Sequence, residues 1–242
     1  MIYATSDLHG TPLPEFLQLL ESAGFSDYDT LYVLGDVIDR NGDGGIELLQ
    51  WIIDRPNMEM ILGNHEAMLL ECDFLFAGDP EEQLRSMSSS QLQYLMRWDR
   101  NGARPTIRSL AGLLERDPEA CGAILEYLRG LPLYREITVQ GSRYLLVHSG
   151  LGNFDPAKKL SDYERDELIW HRPTAEERYF PDMRVILGHT PTGYLFGEEG
   201  RMYQTDTWID IDTGAAGGDS PMLLRLDDLK AFYAAEKPQT EE

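Results

Sequence analysis

The chain opens IYATSDLHG at residues 2–10, where an apolar run meets Asp7, His9 and Gly10. Asp7 and His9 are two apart, a spacing that sends both side chains to one face of an extended chain and aims them at one metal ion. The pair alone has a plainer explanation, because Asp forms turns, His serves as a polar loop residue and Gly relieves the backbone. The rest of the chain repeats the arrangement. LYVL runs into GDVIDRN at 35–41, MEMIL into GNHE at 63–66, RYLLV into HSGL at 148–151 and MRVIL into GHTP at 188–191. Glycine beside each polar residue lets the backbone turn sharply and approach an ion or a phosphate closely. Four of the five histidines, His9, His65, His148 and His189, fall at these exits. Any one of them could be a turn, cap or core residue, but the ordered set points to a metal and phosphate site that includes Asp7 and His9.

Such residues act together only if separate strands end at one place. Leu13, Phe16, Leu17 and Leu20 recur at helical spacing, with Pro14 in the first turn and Gly24 as a stop. LYVL at 31–34 is a short strand, Ile46, Leu49 and Ile53 mark a second helix before Pro56, and MEMIL at 58–62 is the next strand. This alternation favours a parallel sheet covered by helices, with functional residues beyond the carboxyl ends of the strands. Residues 66–130 carry apolar positions at helical spacing, interrupted at Gly78–Pro80, 86–90 and Pro118, and predict several inserted helices. Strands return from 134: REITV and RYLLV form a hairpin around Gln140-Gly141-Ser142, followed by MRVIL, RMYQT, TWIDI and PMLLRL. The closing KPQTEE is a polar, frayed end.

Composition narrows the function. With 42% hydrophobic and 10% aromatic residues over 242 positions, the chain can bury a sizeable core and is not a disordered polymer. A net charge of −21 disfavours nucleic acid and anionic membranes as partners, while a local cationic site can still hold a small phosphorylated substrate. Cys72 and Cys121 are too few for a disulfide framework and too far apart for a zinc–thiolate motif. No apolar run approaches the roughly 20 residues of a membrane span. The first residues enter a strand without the features of a signal peptide, so the expected location is the cytoplasm.

SDLHG, GDVIDRN, GNHE, HSGL and GHT, in this order, resemble the calcineurin-like metallophosphoesterases, and within them the phosphoprotein phosphatase branch in its bacterial and phage-type form. IWHRP (169–173), IDTGA (211–215) and RNGARPTIRSL (100–110) resemble further segments of that branch. The resemblance implies an α/β fold, a two-sheet αββα-type sandwich with a helical subdomain inserted at about 66–130. It also implies one domain over residues 1–236, followed by a polar tail at 237–242. By the same resemblance Asp7, His9 and Asp36 hold one metal, and Asp36, Asn64, His148 and His189 the second, with Asp36 bridging. Ions so bridged, roughly 3.5–4 Å apart, can activate a shared water for direct attack on a phosphate ester. Oxygen and imidazole ligands without thiolate suit Mn, Fe, Zn or Ni, and the family favours manganese.

Arg40 and Arg172 match the family's phosphate-binding arginines, beside Asn64, and a planar guanidinium suits that task. His65 matches the proposed general acid, with Asp39 as the carboxylate that orients it. His171, the fifth histidine, has no assigned role. Ser6, Asn41 and Ala103 stand where the family has glycine; none is a ligand position, and each bears on loop shape near the phosphate. The expected activity is a phosphomonoesterase of the serine/threonine protein phosphatase type, acting on phosphorylated proteins, peptides or small phosphate esters. GNHE with Glu66, together with IWHRP, favours it over the alternative, a symmetrical dinucleoside tetraphosphate hydrolase. A non-catalytic scaffold would be expected to lose ligands, and here every position is filled. Specificity is expected to lie in the stretch 66–130 and the loop 150–165.

Overall fold

The apolar runs become strands because both of their faces are buried. A computed structural model describes residues 1–78, 80–198 and 200–234. The first part contains β1 (Ile2–Thr5), α1 (Leu13–Ser22), β2 (Thr30–Val33), α2 (Ile46–Ile53) and β3 (Met58–Met60). A helical stretch follows, with α3 (Asn64–Glu71), α4 (Pro80–Ser86), α5 (Ser89–Arg100), α6 (Arg104–Arg116) and α7 (Pro118–Arg129). Next come the hairpin β4 (Tyr134–Val139) and β5 (Ser142–Val147), α8 (Arg165–Ile169), β6 (Arg184–Leu187) and α9 (Thr192–Phe196). The last elements are β7 (Tyr203–Gln204), β8 (Trp208–Asp210), β9 (Met222–Arg225) and β10 (Lys230–Tyr233).

These strands form two mixed five-stranded sheets, ordered β10-β9-β1-β2-β3 and β4-β5-β6-β8-β7. β1, β2 and β3 run parallel, as do β5, β6 and β8, with antiparallel strands added outside each trio. Alternate residues serve two cores, as the pleat requires. Ala4, Tyr32, Leu146, Ile186 and Leu224 join the cluster that contains residues of both sheets. Tyr3, Leu31 and Val33 join a helical layer that includes Phe16, Leu49, Trp98, Leu110 and Ile124. Leu145, Val147 and Val185 pack with Leu151, Tyr163, Leu168 and Tyr179. The α/β two-sheet sandwich implied by the motifs is therefore the observed fold.

The helical stretch shares one apolar cluster with the first sheet through Trp98, Leu110, Leu113, Cys121 and Ile124. Both cysteines are buried and free. β10 had no counterpart in the sequence pattern, because Leu229 takes the left-handed backbone of its turn, at φ 57°, where glycine or asparagine would have signalled it. The expected boundary at 236 and the polar tail at 237–242 lie outside the described residues. Among the described residues no helix is long and apolar enough to cross a membrane.

Candidate metal centre

The strands that run parallel within each sheet deliver the predicted residues to one edge of the sandwich. Asp7 and His9 follow β1; Asp36, Asp39 and Arg40 follow β2; Asn64 and His65 open α3 after β3; His148 follows β5 and His189 follows β6. The backbone is bent sharply here. Asp7, His9, Asp36, Asp39, Arg40 and His189 all have positive φ, from 41° at His9 to 76° at Asp39. Each such residue costs on the order of 1 kcal/mol, so strain gathered at one edge must be held by the surrounding contacts. Glycines permit the approach of the loops. A Cβ on Gly35 would overlap the backbone of Gly63, and one on Gly63 would overlap the Asp36 carboxylate.

Asp36 is the meeting point. His9, Asp36 and His65 form one buried group and Asp36, His148 and His189 another, with the donor atoms of each group within 4.8 Å of one another. Asp7 Oδ1 lies 3.7 Å from His9 Nε2, and Asn64 Oδ1 lies 2.9 Å from His148 Nε2. The imidazoles are oriented from behind: His9 Nδ1 is 3.1 Å from the Ile38 carbonyl and His148 Nδ1 is 2.7 Å from that of Leu34. Donation from Nδ1 leaves each Nε2 facing Asp36, at 3.6 and 3.4 Å. His189 Nε2 is buried without a hydrogen-bond partner. A buried polar atom rarely goes unpaired, and carboxylate, amide and imidazole donors converging without thiolate fit a pair of divalent cations.

The electrostatics agree. Burial pushes the His9 pKa down to about 3 and that of His189 down to about 2, which keeps their lone pairs available for a cation. Burial pushes Asp7 up to about 6. Burial alone would also raise Asp36, but the neighbouring His148, His65 and His9 hold it well below the usual carboxylate range. Burial opposes charge on His148, yet the Asp36 carboxylate lifts its pKa to about 10, a sign of how strongly that carboxylate favours positive charge beside it.

His65 stands apart in its partners. Its Nδ1 lies 2.6 Å from Asp39 Oδ2, while its Nε2 is 3.8 Å from Asp36 Oδ2 and 3.4 Å from Arg40 Nη2. Burial lowers its pKa, and the charges of Asp36 and Asp39 more than offset that and raise it. Two groups of the helical stretch hold Asp39: Trp98 Nε1 donates to Oδ2 at 2.8 Å and Thr106 Oγ1 donates to Oδ1 at 2.6 Å. Neither had been singled out in the sequence, although Thr106 lies inside RNGARPTIRSL.

Glu66 acts on the scaffold. Its carboxylate accepts from the backbone N–H groups of Asp36, Val37, Ile38 and Gly63 at 2.8–3.4 Å, tying the loop after β2 to the start of α3. Ser6 donates to the Asp7 carboxylate, Asn41 Nδ2 donates to the Ala215 carbonyl at 3.0 Å, and Ala103 is buried. His171 Nε2 pairs with Glu177 at 2.8 Å and serves its own loop.

Above the donors lies a cleft of about 360 Å³ lined by His9, Asp36, Asn64, His65 and His189, with Arg40, Asn101, Trp170, Arg172, Tyr194 and Asp212 among its walls. Arg40 and Arg172 are exposed into it. Arg172 Nη1 is steadied by Thr190 Oγ1 at 3.1 Å and the His189 carbonyl at 3.3 Å. Asp212, within IDTGA, reaches the cleft with its Oδ1 accepting from Gly214 N at 2.9 Å.

Residues 1–211 match the model of the calcineurin-like phosphoesterase family. A symmetrical bis(5'-nucleosyl)-tetraphosphatase from Paracidovorax citrulli is 28% identical over 198 residues, which are 78% of this chain and 57% of that protein. The chain thus spans little more than half the length of that relative. A protein of the same description from Aliivibrio fischeri is 27% identical over 276 residues, covering 95% of this chain and 96% of its own. Among solved structures, a protein serine/threonine phosphatase from Saccharomyces cerevisiae superposes with a TM-score of 0.56 at 17% identity, over 98% of this chain and 81% of that one, a likeness of fold. Since the family match runs through every strand end that carries a donor, from Asp7 to His189, this chain belongs to the calcineurin-like phosphoesterases.

Proposed function

We propose that this protein is a dinuclear-metal hydrolase that cleaves dinucleoside tetraphosphates symmetrically, releasing two nucleoside diphosphates. The observation that carries the phosphoesterase chemistry is one carboxylate, Asp36, shared by two buried histidine groups beneath two exposed guanidinium groups. The choice of substrate rests on the relatives. Tetraphosphatases match along nearly the whole chain, whereas the likeness to a protein phosphatase is one of fold alone. Glu66, which had favoured the phosphomonoesterase, is engaged by four backbone N–H groups and does not line the cleft, so it cannot read a substrate.

In this reading Asp7, His9 and Asp36 hold one ion, and Asp36, Asn64, His148 and His189 the other, with manganese the expected metal. Bound divalent ions supply an acidified water and neutralise charge on the phosphoryl group. The protein's own groups do the rest. Arg40 and Arg172 grip non-bridging oxygens, fixing the reacting phosphate in place and stabilising charge as it develops. His65 gives a proton from Nε2 to the departing oxygen. The Arg40 guanidinium 3.4 Å from that nitrogen opposes positive charge on the ring, and the Asp36 and Asp39 carboxylates outweigh it. Asp39 fixes the ring and stabilises its protonated form.

A manganese-supplemented assay comparing diadenosine tetraphosphate, p-nitrophenyl phosphate and a phosphopeptide tests the reading. Selective conversion of the first into ADP supports it. Phosphate release from the other two without cleavage of the tetraphosphate establishes the phosphomonoesterase instead.

A further inference from the structure

We propose that Tyr194 is the platform on which a nucleobase of the substrate stacks, an inference that rests on the dinucleotide reading above. Tyr194 lines the cleft of the metal centre and is nevertheless 81% exposed. Among the described residues its side chain makes no hydrogen bond and no ring contact, so it has no evident structural task. An aromatic side chain left in water at the mouth of a polar cleft exposes apolar area that a planar ligand can cover.

The turn that carries it is firmly anchored. α9 begins three residues after His189, and Thr192 at its start is buried, its N–H donating to the Asp212 carbonyl at 3.0 Å. The Thr192 hydroxyl lies 3.0 Å from the Glu198 carbonyl and 2.6 Å from that of Arg201. At the other end Phe196 stacks on Tyr203, with ring centroids 4.0 Å apart and planes within 11°. Tyr194 therefore projects from a fixed base, and a pre-placed ring loses little freedom when a ligand stacks on it.

Trp170, the other aromatic wall, is already occupied. Its ring packs edge-on against His189 at 5.8 Å and beneath the Arg97 guanidinium at 5.7 Å. With Arg40 and Arg172 engaging phosphate oxygens, the nucleoside extends away from the buried donors towards the rim that bears Tyr194. Because every base offers a π-face, stacking there recognises a nucleobase with little preference among bases.

The test separates the base from the rest of the ligand. Calorimetry on manganese-supplemented protein compares ADP with ribose 5-diphosphate, which keeps sugar and phosphates and lacks only the base. The wild-type protein should favour ADP by roughly 5- to 150-fold, the range expected of one base–aromatic stack. Tyr194→Ala should collapse that ratio towards one, and Tyr194→Phe should retain it. With diadenosine tetraphosphate the loss in Tyr194→Ala should fall mainly on KM. A ratio near one in the wild type, or a ratio unmoved in Tyr194→Ala, overturns the proposal, even if the tetraphosphate is cleaved. If base-dependent binding through Tyr194 persists while the tetraphosphate resists cleavage, the platform stands and the substrate reading falls.

Discussion

His65 Nδ1 and Asp39 Oδ2 are 2.6 Å apart, and the carboxylate that holds the ring is itself held by Trp98 and Thr106. The pair belongs to two strand exits, while the groups that fix it come from α5 and α6. In the proposed mechanism turnover thus depends on two residues, Trp98 and Thr106, that do not line the cleft.

Replacing His65, the proposed acid, separates two roles that the geometry places side by side. His65→Ala should lower turnover roughly 10²- to 10⁴-fold, about 3–5 kcal/mol in the barrier, with metal content nearly unchanged. Elemental analysis of the purified variant is the check. Loss of an ion would make His65 a ligand, a role its Nε2 could reach from 3.8 Å of Asp36.

Thr106 tests the support from the helical stretch. Thr106→Val keeps the volume and removes the hydroxyl that donates to Asp39 Oδ1, leaving a buried carboxylate oxygen short of a donor. Such a loss costs about 1–3 kcal/mol. Denaturant unfolding should show it, and kcat should fall as His65 loses its fixed partner. Thr106→Ser restores the donor and should recover most of both; an unchanged kcat in the valine variant removes Thr106 from the positioning of His65.

Metal removal should destabilise the fold, because the donors are brought together at a cost in backbone strain and charge burial. A ligand that binds only the native state at about 1,000 times its Kd adds roughly 4 kcal/mol. Manganese should therefore raise the melting temperature and a chelator should reverse it. Asp36→Asn, which weakens the carboxylate common to both histidine groups, should abolish most of that shift. A shift of full size in this variant would show that the ions bind elsewhere.

The sequence made much of this legible, for definite physical reasons. Short apolar runs buried on both faces produced unbroken patterns, and every ligand candidate lay just beyond one of them, so strand order and donor convergence could be read together. Less visible was anything set by packing between distant segments. Trp98 has helical spacing like any core residue, and only the fold reveals that its indole N–H faces Asp39. Glu66 could be matched to a motif, but its four backbone partners depend on two loops meeting at Gly35 and Gly63. Tyr194 carries no motif at all, and its interest comes from exposure beside a buried histidine cluster.

Glycine substitutions should divide sharply by location. A Cβ on Gly188 would overlap Ser6 Oγ and Asp7 Oδ2, so Gly188→Ala must displace the Asp7 carboxylate. Lower metal occupancy and lower activity are expected, measurable on one preparation. Gly122, in α7, has nothing within 4 Å of the added atom. Gly122→Ala should stabilise the protein by about 0.5–1 kcal/mol through reduced backbone entropy in the unfolded chain. If Gly188→Ala binds metal like the wild type, Asp7 is not positioned by that close approach.

The loop after β5 is closed by a carboxylate whose protonation can be followed. Glu167 receives Lys158 Nζ at 2.7 Å, Asn153 Nδ2 at 2.9 Å and the Glu164 N–H at 2.9 Å, and these bonds, the lysine first, pull its pKa down to about 2. The unfolded chain holds the ordinary value near 4.5, so on acidification it takes up the proton before the folded protein does. The contribution to stability is therefore complete above about pH 4.5, declines as pH falls and is gone below about 2. Glu167→Gln lacks the ionised state at every pH. The melting temperature of the wild type should exceed that of the variant at pH 6, and the gap should narrow steadily between pH 4.5 and 3. A gap that stays constant across that window would mean that the charge of Glu167 contributes nothing and that the loop is held by its neutral hydrogen bonds alone.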